Sequence, residues 1–163
     1  MPMTMKQALV EALDDEYRAR ATYRAVLAAF GDVRPFINIV ESEERHIGAL
    51  KRLFERYHVD VPDDPWLGRI GAPESVEAAC RAGVKAEREN AALYEKLLEA
   101  ARGYPDIERT FRNLLRASQE NHLPALERGA RRGQRGDGSE GEDEEWGRRR
   151  RFRDRRWHGV ERR

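Results

Sequence analysis

Four segments of the chain place apolar residues every three or four positions, which is the spacing of one face of an α-helix. The segments cover about residues 4–30, 32–57, 75–102 and 105–129. Capping residues, prolines and glycines mark most of their ends: Thr4 precedes the first segment, and Gly31 and Gly103 follow the first and third. The sequence therefore predicts an all-α protein with four long helices.

The lengths of the connections predict how these helices are arranged. The links at residues 31–34 and 102–105 are short, so each joins two antiparallel neighbours. The link at residues 58–74 has 17 residues, including three prolines and two glycines. At about 3.3 Å per residue it reaches about 56 Å, more than the length of a 25-residue helix at about 37 Å. We expect two helical hairpins joined by one long crossover.

Composition excludes several classes of protein. The chain is 37% charged, and its apolar stretches are far shorter than the about 20 residues that span a membrane. The N-terminal residues lack the apolar core of a signal peptide, which predicts a cytoplasmic protein. Cys80 is the sole cysteine, so metal sites built from paired cysteines are excluded. A metal ion would be held by carboxylates and imidazoles.

Each apolar stripe is interrupted near its middle by a side chain that can bind a metal. These residues are Glu16, Glu43 with His46, Glu87, and His122. Burial of an unpaired carboxylate costs several kcal/mol, so each needs a partner. For Glu16 the alternative to a metal is an ion pair with Arg20, four positions on.

The chain also repeats itself. Glu16 and Tyr23 are seven residues apart, and so are Glu87 and Tyr94, 71 positions later. Residues 42–50 match residues 118–126 at five of nine positions, with an offset of 76. A duplicated hairpin places its two halves about a pseudo-twofold axis, so the polar residues of both halves are expected to meet at the bundle centre.

These motifs resemble known families. One Glu on each of two helices and Glu-x-x-His on each of the others is the pattern of ferritin-like di-iron carboxylate proteins. The order, with a tyrosine seven residues after the first Glu, is similar to bacterioferritin and rubrerythrin. Several short sequence strings are more similar still to the ferritin-like family catalogued as domain of unknown function 2202. The chain resembles this family over about residues 5–128. The strings that carry this resemblance are residues 15–23, 35–39, 46–50, 86–90 and 121–125.

The resemblance implies a ferritin-like four-helix bundle with two iron ions in its core, manganese being the other candidate metal. It makes Glu16 and Glu87 terminal ligands, Glu43 a bridging carboxylate, and His46 and His122 one imidazole for each metal. Gln119 stands where the pattern has a second bridging carboxylate. A neutral amide binds hard cations weakly, so the second ion is expected to bind weakly. Tyr23 and Tyr94 are expected beside the centre, as redox or hydrogen-bonding groups or as ordinary core tyrosines.

The implied function is that of an iron-dependent oxidoreductase, acting as a ferroxidase or reducing oxygen or peroxide. Because the chain has no Cys-x-x-Cys motif, electrons would come from an external donor. Iron storage ranks lower, and a non-enzymatic binding module with a degenerate metal site is the main alternative. Because proteins of this fold commonly assemble, we expect a homo-oligomer, with a dimer as the first expectation.

We predict a domain boundary after residue 128. Residues 129–163 carry 12 arginines and 8 acidic residues, with six acids in 137–145 and seven arginines in 148–156. This composition predicts a disordered tail whose acidic and basic blocks attract each other. Arginines interleaved with Phe152 and Trp157 also suit nucleic acid, which is the alternative role for the tail.

Overall fold

The structure is a computed structural model that describes residues 1–134, and within them every regular element is helical. Its elements are α1 (Met5–Phe30), α2 (Phe36–Arg56), α3 (Val76–Ala100), α4 (Pro105–Ala117), a π-helical turn (Ser118–His122) and α5 (Leu123–Gln134). The last three form one continuous fourth helix, and the predicted all-α four-helix bundle is confirmed. The acidic and arginine-rich segments of the predicted tail lie outside the described residues.

Local sequence explains where the helices begin and end. The Thr4 hydroxyl accepts a hydrogen bond from the Gln7 backbone N–H, and the Gln7 side chain accepts one from the Thr4 N–H. This reciprocal pair satisfies two backbone donors at the start of α1. The Ser75 hydroxyl caps α3 by accepting a hydrogen bond from the Ala78 backbone N–H. Gly31 and Gly103 follow α1 and the turn after α3 with positive φ angles of 80° and 89°, a conformation that favours glycine.

The fourth helix continues to Gln134, so the predicted end near Gly129 is wrong and the predicted boundary after residue 128 falls inside α5. Gly129 serves packing instead. A Cβ atom at this position would lie 2.5 Å from the Cys80 sulfur on α3. The missing side chain therefore lets α5 approach α3 closely, and the helix passes through the glycine without ending.

The crossover at residues 57–75 lies along α1, as a link between two hairpins must. Asp64 accepts a hydrogen bond from Arg20 at 2.8 Å, and the Trp66 indole N–H donates to Asp14 at 2.9 Å. The Tyr17 hydroxyl donates to the Pro62 carbonyl at 3.3 Å. These contacts fix the crossover to the first hairpin and confirm the predicted connectivity.

Apolar side chains form two buried clusters, one towards each end of the bundle. The larger cluster contains Leu9, Leu13, Leu50, Leu97, Phe111 and their neighbours. The smaller one contains Tyr23, Val26, Phe36, Ile39, Ala79, Cys80 and Leu126. The buried polar side chains occupy the layer between the two clusters. None of the described helices is long and apolar enough to cross a membrane.

Candidate metal centre

Five of the six predicted ligands meet in the polar layer. Glu16 and Glu43 are each 2% exposed, and Glu87 and His122 are each 4% exposed. His46 lies at the edge with 13% of its side chain exposed. The repeat thus brings one carboxylate or imidazole group from every helix to the same place.

Glu43 is the shared member of two groups of three. Its Oε2 lies 3.0 Å from His46 Nδ1, and its Oε1 lies 3.3 Å from His122 Nδ1. Glu16 Oε2 completes the first group at 3.1 Å from the same atom of His46. Glu87 Oε1 completes the second at 3.5 Å from His122 Nδ1. In each group the three donor atoms lie within 4.8 Å of one another, an arrangement that could hold one metal ion.

The two predicted tyrosines donate hydrogen bonds to Glu16 and Glu87. The Tyr94 hydroxyl on α3 donates to Glu16 Oε1 on α1 at 2.7 Å, and the Tyr23 hydroxyl on α1 donates to Glu87 Oε1 on α3 at 2.6 Å. Each hairpin therefore orients the other hairpin's carboxylate. Burial and the nearby carboxylates raise the pKa of both tyrosines well above the usual range. Both remain protonated donors at neutral pH.

The ion pair between Glu16 and Arg20 is absent from the described part of the chain. Arg20 instead donates to Glu44 at 3.0 Å and to Asp64 at 2.8 Å, away from the core. Within residues 1–134, no lysine or arginine forms an ion pair with Glu16, Glu43 or Glu87. The histidines are the cationic partners of these carboxylates.

Protonation of the imidazoles balances part of the negative charge of the cluster. Burial opposes a charge on both imidazoles, but hydrogen bonds to the carboxylates outweigh it and raise the pKa of His46 to about 9 and of His122 to about 10. Burial and then repulsion from Glu43 raise the pKa of Glu16 to about 7. Burial also opposes ionisation of Glu43, yet its histidine partners hold its pKa below the usual value. Both imidazole pKa values lie above neutrality, so both rings are protonated at pH 7.

The sixth predicted ligand does not reach the cluster. Gln119 is exposed at the surface, so its amide does not occupy the second bridging position. Its neighbour Ser118 is buried instead, and the hydroxyl donates to Glu87 Oε2 at 2.6 Å. The π-helical turn explains why Ser118 is buried in place of Gln119. Its wider turn places Ser118, four residues before His122, on the inner face.

Pro124 explains the π-helical turn. In an α-helix its ring would clash with the carbonyl of Glu120, four residues earlier, and the widened turn relieves this clash. The Leu123 N–H bonds to the Ser118 carbonyl, five residues back. In the repeat, Gly48 occupies the equivalent position, and α2 is regular. Such turns are frequent at functional sites.

The spacing of the buried residues reflects this turn. The inward residues of the fourth helix are Leu114, Ser118, His122 and Leu126, three successive steps of four. Three such steps exceed three turns of 3.6 residues by about one residue. That surplus of about one residue corresponds to the π-helical turn at Ser118–His122.

The family model for the uncharacterized protein domain DUF2202 matches residues 6–103, more than half of the chain. The chain belongs to the DUF2202 family. The matched part contains Glu16, Glu43, His46 and Glu87 with both tyrosines, and it ends before the helix that carries His122. No curated protein matches this DUF2202 chain.

A solved structure shares its fold. The crystal structure of a hypothetical protein from Methanococcus jannaschii DSM 2661 superposes with a TM-score of 0.69 at 25% sequence identity. The match covers 78% of this DUF2202 chain and 79% of the archaeal chain. The helical architecture is thus shared over most of both proteins.

Proposed function

We propose that this DUF2202 protein is a ferritin-like di-metal carboxylate protein that binds two iron ions and acts as an oxidoreductase, with manganese as the other candidate metal. The observation that carries the proposal is Glu43, whose two oxygens face two different imidazoles inside the core. A carboxylate in this position suits a bridge between two cations. Glutamates are almost never fully buried unless they are paired, and Glu43 is 2% exposed.

The distances fit metal ligands. Two donors about 2.1 Å from one cation, at angles of about 90–110°, lie about 3.0–3.4 Å from each other. The nitrogen–oxygen separations in the structure are 3.0 and 3.1 Å in the first group and 3.3 and 3.5 Å in the second. A slightly shorter separation between Glu87 Oε1 and His122 Nδ1 would bring the second group into the same range.

The charges also fit. With neutral imidazoles Glu16, Glu43 and Glu87 carry three negative charges, and no lysine or arginine of residues 1–134 pairs with them. Two divalent cations replace the two imidazolium protons and leave the layer with one positive charge. Carboxylate and imidazole donors together suit iron and manganese.

When bound, a redox-active metal pair supplies the electrons that reduce dioxygen or peroxide. The chain itself supplies the surroundings. Tyr94 fixes the outer oxygen of Glu16, Tyr23 fixes the Glu87 oxygen that faces His122, and apolar clusters flank the site on both sides. Cys80, the sole cysteine, is buried, and burial raises its pKa, so it is a poor redox relay. An external protein or small reductant is therefore required for turnover.

The two metal positions are not equivalent. Glu16 accepts a hydroxyl hydrogen bond on one oxygen only, from Tyr94. Glu87 accepts hydroxyl hydrogen bonds on both oxygens, from Tyr23 and Ser118. A carboxylate engaged at both oxygens is a weaker donor to a cation, so the position formed by Glu16, Glu43 and His46 is expected to fill first.

Anaerobic titration of the metal-free protein with ferrous iron, followed by admission of air, tests the proposal. We expect close to two irons per chain, bound in two steps, and a new near-ultraviolet absorption on oxidation. Retention of fewer than one iron per chain by a protein whose helices are intact by circular dichroism would contradict the proposal.

The π-helical turn leads to a prediction about the second position. We expect Ser118→Asp to tighten the second ion at least about tenfold, because a buried carboxylate then replaces the hydroxyl beside Glu87. Gln119→Glu adds the same charge one residue away, but on the exposed side of the turn. This control should leave both affinities unchanged in isothermal titration calorimetry. A tighter second ion in Gln119→Glu alone would show that the helix is regular in solution and that Gln119 faces the cluster.

A further inference from the structure

A small cavity of about 90 Å³ lies between α1 and α3, beside the polar layer. Its inner wall includes Glu87 and Tyr23, and its outer wall includes Asp15, Arg18 and Asn90. The cavity therefore reaches from near the surface to a carboxylate of the candidate metal centre. It is smaller than the about 150 Å³ cavity that holds benzene in another protein, so it admits only small species.

Small side chains keep this cavity open. Ala19 on α1 and Ala86 on α3 line it, and both are in the middle of long helices. The 71-residue repeat places Ala86 at the position of Asp15 and Asn90 at the position of Ala19. At each of these two equivalent positions, one half of the chain has an alanine and the other half has a polar residue.

Polar contacts close the outer side. The Asn90 amide donates to Asp15 Oδ2 at 2.6 Å and joins α3 to α1. Arg18 donates to the other oxygen of Asp15 at 2.8 Å, and 49% of the Arg18 side chain is exposed. The groups on this outer side are thus side chains, one of which is half exposed.

We propose that this cavity is the entrance through which divalent cations reach Glu87 and then the shared carboxylate Glu43. The proposal rests on the metal-binding function proposed above. The lining contains three carboxylates, those of Asp15, Glu87 and Glu89, against the single guanidinium of Arg18. A cleft with this excess of negative charge attracts cations and raises their rate of entry.

The test compares the rate of metal loading with the affinity at equilibrium. Ala19→Leu fills the cavity with an apolar side chain, and Ala92→Leu makes the same change at an exposed position of α3 as the control. Cobalt(II) is mixed with each metal-free protein in a stopped-flow spectrometer, and its dissociation constant is measured separately. We expect Ala19→Leu to load at least about tenfold more slowly than the control, with a similar dissociation constant.

A second variant keeps the proposal testable if Ala19→Leu does not fold. Asp15→Asn removes a negative charge without changing size, and it should slow loading severalfold and weaken its dependence on salt concentration. Unchanged loading rates in both folded variants would overturn the entrance while leaving the metal centre intact. Failure of the unmodified protein to bind cobalt(II) at all would overturn the metal centre and the entrance with it.

Discussion

We expect Glu43→Gln to lose tight binding of both metal ions, with each dissociation constant raised about 100-fold or more. Changes to groups that only support a metal ligand already cost about 10- to 100-fold in affinity. Glu43 is placed to contact both positions directly, since its two oxygens lie 3.0 Å and 3.3 Å from the two imidazoles. A neutral amide cannot bridge two cations, so the loss should extend to both ions. Isothermal titration calorimetry with manganese(II) measures it.

The neighbouring residue supplies a matched control. Glu44→Gln removes the same charge one position away, where the carboxylate pairs with Arg20 and Arg24 near the surface. Its metal affinities should stay within about twofold of the unmodified protein. If Glu43→Gln lost one ion and kept the other at full affinity, Glu43 would belong to a single position and the bridging assignment would be wrong.

Metal affinity should rise steeply with pH. Each ion must displace a proton from an imidazole, and hydrogen bonds to carboxylates overcome burial to raise the pKa of His46 to about 9 and of His122 to about 10. Between pH 7, where Glu16 has lost its proton, and those values each affinity should increase about tenfold for every pH unit. The rise should level off near pH 9 for the first position and near pH 10 for the second. Calorimetry in buffers of different ionisation enthalpy counts the protons released.

Thermal stability of the metal-free protein should change in the opposite direction. The folded-state pKa values of both histidines lie above 6.5, so their contribution is fully present below pH 6.5 and is lost as the pH rises through about 9 and 10. The raised pKa of Glu16, near 7, also favours the fold below that pH. We expect the melting temperature to fall between pH 6.5 and pH 10, and added manganese(II) to reduce or reverse this fall. A melting temperature independent of pH would contradict the buried imidazolium pairs.

Much of this arrangement was predictable because periodicity and repetition are strong signals. The four apolar stripes predict the helices, and the long crossover follows from counting residues between them. Burial of Glu16, Glu43, Glu87 and His122 follows from their places within those stripes. The repeat then predicts that they meet, because equivalent residues of two hairpins face a common axis.

The errors come from residues whose role depends on a neighbouring helix or on backbone geometry. Gly129 resembles a helix terminator, but its missing side chain instead accommodates Cys80. Arg20 has the right spacing to neutralise Glu16, yet the crossover supplies Asp64 as a closer partner away from the core. Gln119 matches Glu43 in an ungapped comparison, and the π-helical turn near Pro124 shifts the register by one residue.

The duplication has a consequence for how such a centre can diverge. A symmetric pair of identical hairpins would carry every substitution twice, so both positions would change together. With the hairpins joined in one polypeptide, each can vary independently, and this chain has Gly48 in one half and Pro124 in the other. Ser118 is buried against Glu87 while its counterpart Ser42 contacts the outer nitrogen of His46. Fusion thus permits a centre with one position adapted for retention and the other for exchange.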